Sequence, residues 1–201
     1  HAEEVAQQLP TTIVSASEDR AAAEFVQGVF TNELMRVYTS TDIKGVEVSG
    51  ALKNIVALAA GISAGLGYGA NLKAAIITRG LAEITRLGLA MGCAEQTFYG
   101  LAGIGDIIVT ATSEHSRNNR AGMLIGQGYS AKEASDKVGM VVEGINALPA
   151  AMRLAQQYQV DLPITFAVNS VVSGEKTPEE AVRELMTRTQ GQEFPLAKNY
   201  E

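Results

Sequence analysis

Residues 46–64 form an almost entirely apolar stretch that consists mainly of alanine and other small residues. At this length, the composition predicts a helix that is buried on most of its sides. The longest uninterrupted apolar run, residues 55–62, is about a third of the ~20 residues that a membrane-spanning helix needs. We therefore expect the central helix of a helical bundle, and no transmembrane helix.

Helical signals continue from this stretch towards the C-terminus. Residues 71–91 have the period of an amphipathic helix, with Arg79, Glu83 and Arg86 spaced for pairs on its surface. Altogether we expect about seven helices, joined by glycine-rich loops. The predicted features are helices at residues 143–158 and 163–172, capping boxes at Ser130 with Glu133 and at Thr177 with Glu180, and loops near residues 65–69, 100–105 and 126–128.

The first forty residues have a different pattern. Residues 11–15 and 34–39 are typical of short strands. Between them, Ser17 is placed to cap a helix. A strand, a helix and a strand are too few for a sheet domain, so we expect the end of an α/β sheet in residues 1–40 and a helical domain in residues 41–201. The apolar stripe of the intervening helix is Ala22, Phe25, Val26, Val29 and Phe30.

Charge and residue counts narrow the functions. With 16 Lys+Arg against 22 Asp+Glu, the formal net charge is −6, whereas nucleic acids and anionic membranes attract basic proteins. The one cysteine, Cys93, has no partner for an internal disulfide, and the chain has only two histidines. We therefore expect a cytoplasmic protein without a metal cofactor, and neither nucleic acid nor membrane as a partner.

Lys53 is the only charged residue between Val48 and Leu72. Burial disfavours an ammonium ion, and a lysine that is neutral part of the time is suited to act as a general base near pH 7. A lysine at this position can equally run its stem along the apolar surface and reach solvent. The spacing leaves both interpretations open.

Residues 112–120 form a polar segment that leads into an apolar helical stretch. Ser116 is placed as an N-cap, and the amides after it, with Arg117 at their edge, would suit a phosphate. A solvated loop is the alternative. Asp106, at a glycine-lined helix start, is either a cap or a group that orients Lys53 or a substrate hydroxyl.

Residues 65–70 (GLGYGA) match the G-x-G-x-x-A pattern of a dinucleotide-binding turn. The segment before them is helical, not a strand, so we interpret them as a turn between two helices. Cys93 has no partner histidine or acid around it in the sequence, and His115 either touches a phosphate or faces solvent. We expect a buried thiol and a solvent-exposed imidazole.

Several of these positions fall within longer motifs. In chain order, the motifs are residues 50–54 (GALKN), 78–83 (TRGLAE), 103–106 (GIGD), 116–118 (SRN), 142–144 (VEG) and 162–165 (LPIT). In this order and spacing, the chain closely resembles the C-terminal portion of bacterial-type NAD(P)-dependent glycerol-3-phosphate dehydrogenases. The resemblance implies a mainly α chain: a helical substrate domain of the 6-phosphogluconate dehydrogenase-like type after a short remnant of a Rossmann domain. The implied enzyme interconverts sn-glycerol 3-phosphate and dihydroxyacetone phosphate and supplies phospholipid synthesis.

The same resemblance implies roles for individual residues, with Lys53 as the proton acceptor. The substrate-binding residues would be Lys53, Asn54, Asp106, Thr110, Ser116, Arg117 and Asn118, and those near NAD or NADP would be Ala2, Arg117, Val141 and Glu143. The family's glycine fingerprint, its ribose-reading segment and a second active-site lysine have no match in this chain. We therefore expect a fragment that neither binds NADH nor oxidises it alone.

Two other functions fit the pattern. The chain could come from another hydroxy-acid dehydrogenase with the same domain plan, which a comparison of phosphorylated with non-phosphorylated substrates would separate. It could also be a non-catalytic helical dimerisation module, in which Lys53 is dispensable. The sequence leaves open the choice between NADH and NADPH and whether the chain forms a homodimer.

Overall fold

The computed structural model of the chain describes residues 2–189. The elements are α1 (Ala2–Ala6), β1 (Thr11–Ala16), α2 (Arg20–Phe30), β2 (Met35–Ser40), α3 (Ile43–Gly65), α4 (Ala70–Ala90), α5 (Glu95–Tyr99), α6 (Asp106–Thr112), α7 (Arg117–Gly126), α8 (Ala131–Val138), α9 (Glu143–Tyr158), α10 (Pro163–Val172) and α11 (Pro178–Thr187). The prediction of a mainly helical chain is confirmed. Nine helices, not about seven, follow β2 within the described residues. α5 is too short to show a helical period in the sequence, and α6 was anticipated only as a helix start at Asp106.

Residues 2–40, the N-terminal unit, contain two parallel strands joined by a helix. β1 pairs with β2, with Ile13 opposite Val37. Parallel neighbours need a crossover connection, and α2 supplies it. The N-cap of α2 is Asp19, whose side chain accepts a hydrogen bond from the Ala21 N–H at 2.9 Å. The prediction of Ser17 as the cap is therefore wrong, because the Ser17 hydroxyl accepts from the Asp19 N–H and the cap of the helix lies two residues later, at Asp19.

The apolar stripe predicted for α2 lies on the surface, and Ala23 is the buried residue of this helix instead. Phe25 is 73% exposed and Val29 is 60% exposed. A sheet of two strands is too narrow to cover a whole side of a helix. All five residues of the predicted stripe are exposed: Ala22, Phe25, Val26, Val29 and Phe30.

α3 is the centre of residues 43–187, the helical body. Residues 55–63 are all buried, and α4, α6, α7 and α9 pack around them. The prediction of a helix buried on most sides is thus confirmed. By length and hydropathy alone, α3 would also pass for a membrane-crossing helix. However, 67% of its most apolar window is buried against the rest of the protein, as in the core helix of a globular domain.

α7 crosses α3 at a seam of glycines. A Cβ at Gly61 or Gly65 of α3 would overlap the backbone of α7, and a Cβ at Gly122 or Gly126 of α7 would overlap the backbone of α3. The two helices therefore meet backbone to backbone, which only glycine permits. This seam fixes the position of α7 relative to α3.

Most of the other local predictions are confirmed. α9 and α10 have the predicted bounds, and both capping boxes form. Residues 65–70 make a turn between α3 and α4, in which Gly67 has a φ of +80°. One glycine-rich loop is an exception, because Leu101–Gly105 is a π-helical turn that leads into α6. The strand pattern ends at Ser40, but the division into two domains stays a prediction.

Candidate functional site

Lys53 and Asp106 form an ion pair at the edge of the helical body. Lys53 projects from α3, and Asp106 is the first residue of α6. Lys53 Nζ donates to Asp106 Oδ2 at 2.5 Å, and the two side chains are only 18% and 19% exposed. Burial of either charge alone would be costly, and the opposite charge offsets that cost. The lysine is therefore held against a carboxylate and does not extend freely into solvent.

Thr110, one turn further along α6, packs against the same carboxylate. Its Oγ1 donates to the main-chain oxygen of Asp106 at 2.6 Å and lies 3.3 Å from Asp106 Oδ1. Asp106 also lines a groove between the helical body and β1, together with Val14 of β1 and Val46 of α3. A ligand in this groove would thus lie beside the carboxylate that holds Lys53.

The start of α7 is organised as an N-terminus that can receive an anion. Ser116 is the N-cap, as predicted, and its Oγ accepts from the Asn119 N–H at 3.3 Å. Helix geometry leaves the first-turn amides of Arg117 and Asn118 without an intrahelical acceptor. Within residues 2–189, the half-buried Arg117 guanidinium has no ion pair. Amides and a guanidinium at one helix end suit a phosphate group.

Asn54 and Asn118 connect three helices. Asn118 Nδ2 donates to Asn54 Oδ1 at 2.9 Å, which links α7 to α3. Asn118 Oδ1 accepts from the Gly144 N–H of α9 at 2.8 Å, and Asn54 Nδ2 donates to the Gly50 carbonyl at 3.1 Å. Asn118 is only 6% exposed, whereas Asn54 is half-buried beside Lys53.

The residues expected near the cofactor are less closely grouped. Val141 is 54% exposed, and Glu143, the first residue of α9, is exposed as well. Glu143 adjoins Gly144 and Val141 precedes it by three residues, so both lie at the α9 end that Asn118 contacts. Ala2 begins α1, but its side chain lies outside the described residues. α1 does approach the polar segment before α7, because Glu3 Oε2 lies 3.4 Å from His115 Nδ1.

Asn119 is a residue of the site region that the sequence did not single out. It is 6% exposed, and its Nδ2 donates to the Ala111 carbonyl of α6 at 2.8 Å. The bond ties the start of α7 to the helix that carries Asp106. Its only signal in the sequence is an amide residue next to Asn118, which does not distinguish a structural from a ligand-binding role.

Glu83 is a buried carboxylate, so the prediction that it lies on the surface of α4 is wrong, although the charge of Arg86 still acts on it. It is 5% exposed and accepts from the N–H groups of Ile164 and Thr165, at 2.6 and 3.2 Å, and from the Thr165 hydroxyl. Burial raises the pKa of Glu83 to about 7, although these donors oppose the shift. The helical period marks the buried face of α4 only approximately, and the donors are about 80 residues away in sequence.

Cys93 is buried and His115 is exposed to solvent, as the sequence predicted. Cys93 is buried, and burial followed by the charge of Asp42 raises the pKa of its thiol, which disfavours a reactive thiolate. The side chain of His115 is 79% exposed. Among residues 2–189, no three His, Cys, Asp or Glu side chains are grouped so that they could hold a metal ion.

The fold defines a class. A mainly helical body with a small parallel two-strand sheet matches the C-terminal domain of a dehydrogenase preceded by the remnant of a Rossmann domain. Residues 42–183 match the family model of the NAD-dependent glycerol-3-phosphate dehydrogenase C-terminus. Because the match covers more than half of the chain, the chain belongs to this family.

Named relatives agree with this assignment. Over 96% of its length, the chain is 62% identical to glycerol-3-phosphate dehydrogenase [NAD(P)+] 2 of Lactobacillus delbrueckii subsp. bulgaricus, of which it covers 58%, and 56% identical to the enzyme of Bacillus velezensis, of which it covers 56%. The crystal structure of glycerol-3-phosphate dehydrogenase from Coxiella burnetii superposes with a TM-score of 0.91 at 40% identity, over 94% of this chain and 58% of that one. The chain thus spans little more than half the length of these relatives.

Proposed function

We propose that this chain is the substrate-binding portion of an NAD(P)-dependent enzyme that interconverts sn-glycerol 3-phosphate and dihydroxyacetone phosphate. One observation carries the proposal. Lys53, half-buried and paired with Asp106, lies on the same helix as Asn54, which Asn118 ties to the anion-binding start of α7. A proton-transfer group and a phosphate site are the two features that this reaction needs from the substrate-binding portion of the protein.

In the proposed reaction, Lys53 handles the proton of the C2 oxygen. During oxidation, the neutral amine of Lys53 takes the hydroxyl proton while the C2–H bond breaks and the C2=O bond forms. During reduction, the Lys53 ammonium returns that proton to the carbonyl oxygen. Asp106 and Thr110 keep the lysine in place throughout, so that little orientation is lost on the way to the transition state.

The phosphate would be held at the start of α7. Arg117 supplies a charge-assisted donor, and the first-turn amides of Arg117 and Asn118, behind the Ser116 cap, supply two more. Such a contact fixes the far end of the substrate and thereby orients C2 towards Lys53. A substrate without the phosphate would lose this orientation.

Part of a nicotinamide site also fits the residues present. Val141 offers exposed apolar surface and Glu143 an exposed carboxylate at the start of α9, next to the amide that Asn118 accepts from. Arg117 and Ala2 complete the proposed cofactor contacts. NAD(P), when bound, accepts or supplies the hydride. We place the enzyme in the cytoplasm, and a homodimer stays a prediction for sedimentation analysis.

The proposal is tested in the extended enzyme, that is, this chain joined to the segment by which its relatives are longer. Lys53→Met should lower kcat by about a hundredfold or more, the scale of a lost general acid–base, and should leave KM for dihydroxyacetone phosphate nearly unchanged. Lys132→Met, at an exposed lysine of α8, is the matched control and should leave kcat unchanged.

Other outcomes would favour the alternatives. Full activity of the Lys53→Met enzyme would contradict the role of Lys53. An extended enzyme without any dehydrogenase activity would favour a helical dimerisation module. Equal activity on phosphorylated and non-phosphorylated hydroxy substrates would indicate a different dehydrogenase of the same domain plan.

A further inference from the structure

The hydrogen bonds through Asn118 and Asn54 have a fixed direction. The chain of bonds begins at the Gly144 N–H, which can only donate, and ends at the Gly50 carbonyl, which can only accept. Between these ends, Asn118 must turn its oxygen to Gly144 and its NH₂ to Asn54, and Asn54 must turn its NH₂ to Gly50. The orientation of both carboxamides therefore follows from the backbone.

A second, independent contact holds α9 at the same place. A Cβ at Gly144 would lie 2.5 Å from the main-chain oxygen of Asn54 and 3.1 Å from Asn118 Oδ1. The start of α9 therefore approaches the backbone of α3 so closely that no side chain fits between them. One residue from each of three helices meets here: Asn54 of α3, Asn118 of α7 and Gly144 of α9.

The side chain of Asn118 has little capacity left for a ligand. Its oxygen and one N–H are committed to Gly144 and Asn54, and the residue is 6% exposed. Asn54, in contrast, is half-buried and keeps one amide N–H beyond its bond to Gly50. The donor that a substrate can reach is therefore on Asn54, and the residue that orients it is Asn118.

We propose that Asn118 is a positioning residue, whose buried carboxamide sets the orientation of the Asn54 amide beside Lys53 and ties it to the start of α9. This role rests on the function proposed above. It couples the substrate side of the site to the end of α9 that carries Val141 and Glu143. At the substrate itself, Asn118 contributes its backbone N–H and not its side chain.

The structural half of the proposal is tested on the 201-residue chain. NMR hydrogen exchange should show a protected Gly144 amide in the parent chain. In Asn118→Ala, that amide should exchange about tenfold faster or more, and the side-chain NH₂ signals of Asn54 should shift. The control is Asn119→Ala, which removes an equally buried carboxamide that bonds to Ala111 instead, and should leave both signals unchanged. A Gly144 amide that is insensitive to Asn118→Ala would overturn the proposal.

The functional half uses the extended enzyme and separates kcat from KM. A displaced Asn54 should lower kcat of Asn118→Ala about tenfold to a hundredfold, with KM for dihydroxyacetone phosphate changed less than about threefold. Asn118→Asp keeps the shape and the bond to Gly144 but cannot donate to Asn54. It should show the same loss of kcat, even if the alanine variant fails to fold.

A change in KM without a change in kcat would contradict the positioning role. A higher KM with unchanged kcat in Asn118→Ala would show that the side chain binds substrate directly, and parental values of both would show that it does neither. An unmodified extended enzyme that is inactive on dihydroxyacetone phosphate would refute the proposed function instead. The exchange result at Gly144 would stand in that case, so the two failures are distinguishable.

Discussion

The N-terminal unit and the helical body differ in where their apolar residues lie. In the N-terminal unit, α2 has a regular apolar stripe, yet Phe25 and Val29 are mostly exposed. In the helical body, α3 has hardly any stripe, yet residues 55–63 are all buried. An apolar face in a sequence shows which side of a helix requires cover, but only neighbouring elements decide whether it is covered. Burial of α3 comes from helices on all sides, whereas α2 has a sheet of two strands.

The largest expected effect comes from replacing a phenylalanine by alanine in each of the two regions. Phe98 of α5 is fully buried against Gly88, so Phe98→Ala should lower the free energy of unfolding by about 3–5 kcal/mol. Phe25→Ala, at a residue 73% exposed, should change it by less than about 0.5 kcal/mol. Urea denaturation followed by circular dichroism measures both. Similar losses for the two variants would mean that the regions bury their phenylalanines alike.

The next effect concerns a polar contact that is buried in the helical body. The pKa of Glu83 is about 7 in the folded chain, above its ordinary value of 4.5, so the folded state holds a proton that the unfolded state has released between these pH values. The free energy of unfolding therefore falls as pH rises from about 4.5 to about 7, by about 3 kcal/mol from this group.

Glu83→Gln is the variant that isolates this contribution. The difference between the unfolding free energies of the parent chain and the variant, measured from pH 4.5 to 8, should change across that window and level off above about pH 7. Glu95→Gln, at an exposed residue of α5, is the control and should give a small and nearly constant difference. A flat difference profile for Glu83→Gln would mean that the donors around the carboxylate offset its burial and that its pKa is not raised.

Local signals explain which parts of the molecule the sequence could predict. The bounds of α9 and α10 were predictable to the residue: Pro163 stands at the first position of α10, and Glu143 lies in the first turn of α9. Lys53 stood out because it is the only charge in a long apolar stretch. Its partner Asp106 is 53 residues away, and only the fold decides between an ion pair and a solvated lysine.

The features that the sequence did not predict depend on contacts between residues far apart in the chain, which leave no periodic pattern in the sequence. Glu83 fits a surface position by spacing, and its burial follows from the docking of α10. The resemblance implied Asn118 as a substrate-binding residue without saying which of its groups binds, and the structure commits its side chain to Asn54 and Gly144. The exposure of Phe25 follows from the width of the sheet, which the pattern of α2 alone does not contain.

The smallest effect tests the glycine seam between α3 and α7. In Gly122→Ala, the new Cβ would overlap the Leu58 carbonyl of α3, and backbone cannot rotate away as a side chain can. We expect a loss of about 1–3 kcal/mol in the free energy of unfolding. Gly50→Ala is the matched control, because Gly50 also lies within a helix, and a Cβ there meets nothing within 4 Å. Gly50→Ala should be neutral or stabilise the fold by up to about 1 kcal/mol.

The seam also sets where α7 begins. Gly122→Ala should therefore raise KM for dihydroxyacetone phosphate in the extended enzyme, whereas Gly50→Ala should raise KM less. Equal stabilities of the two variants would show that the helices can separate at little cost, and that the seam does not fix the start of α7.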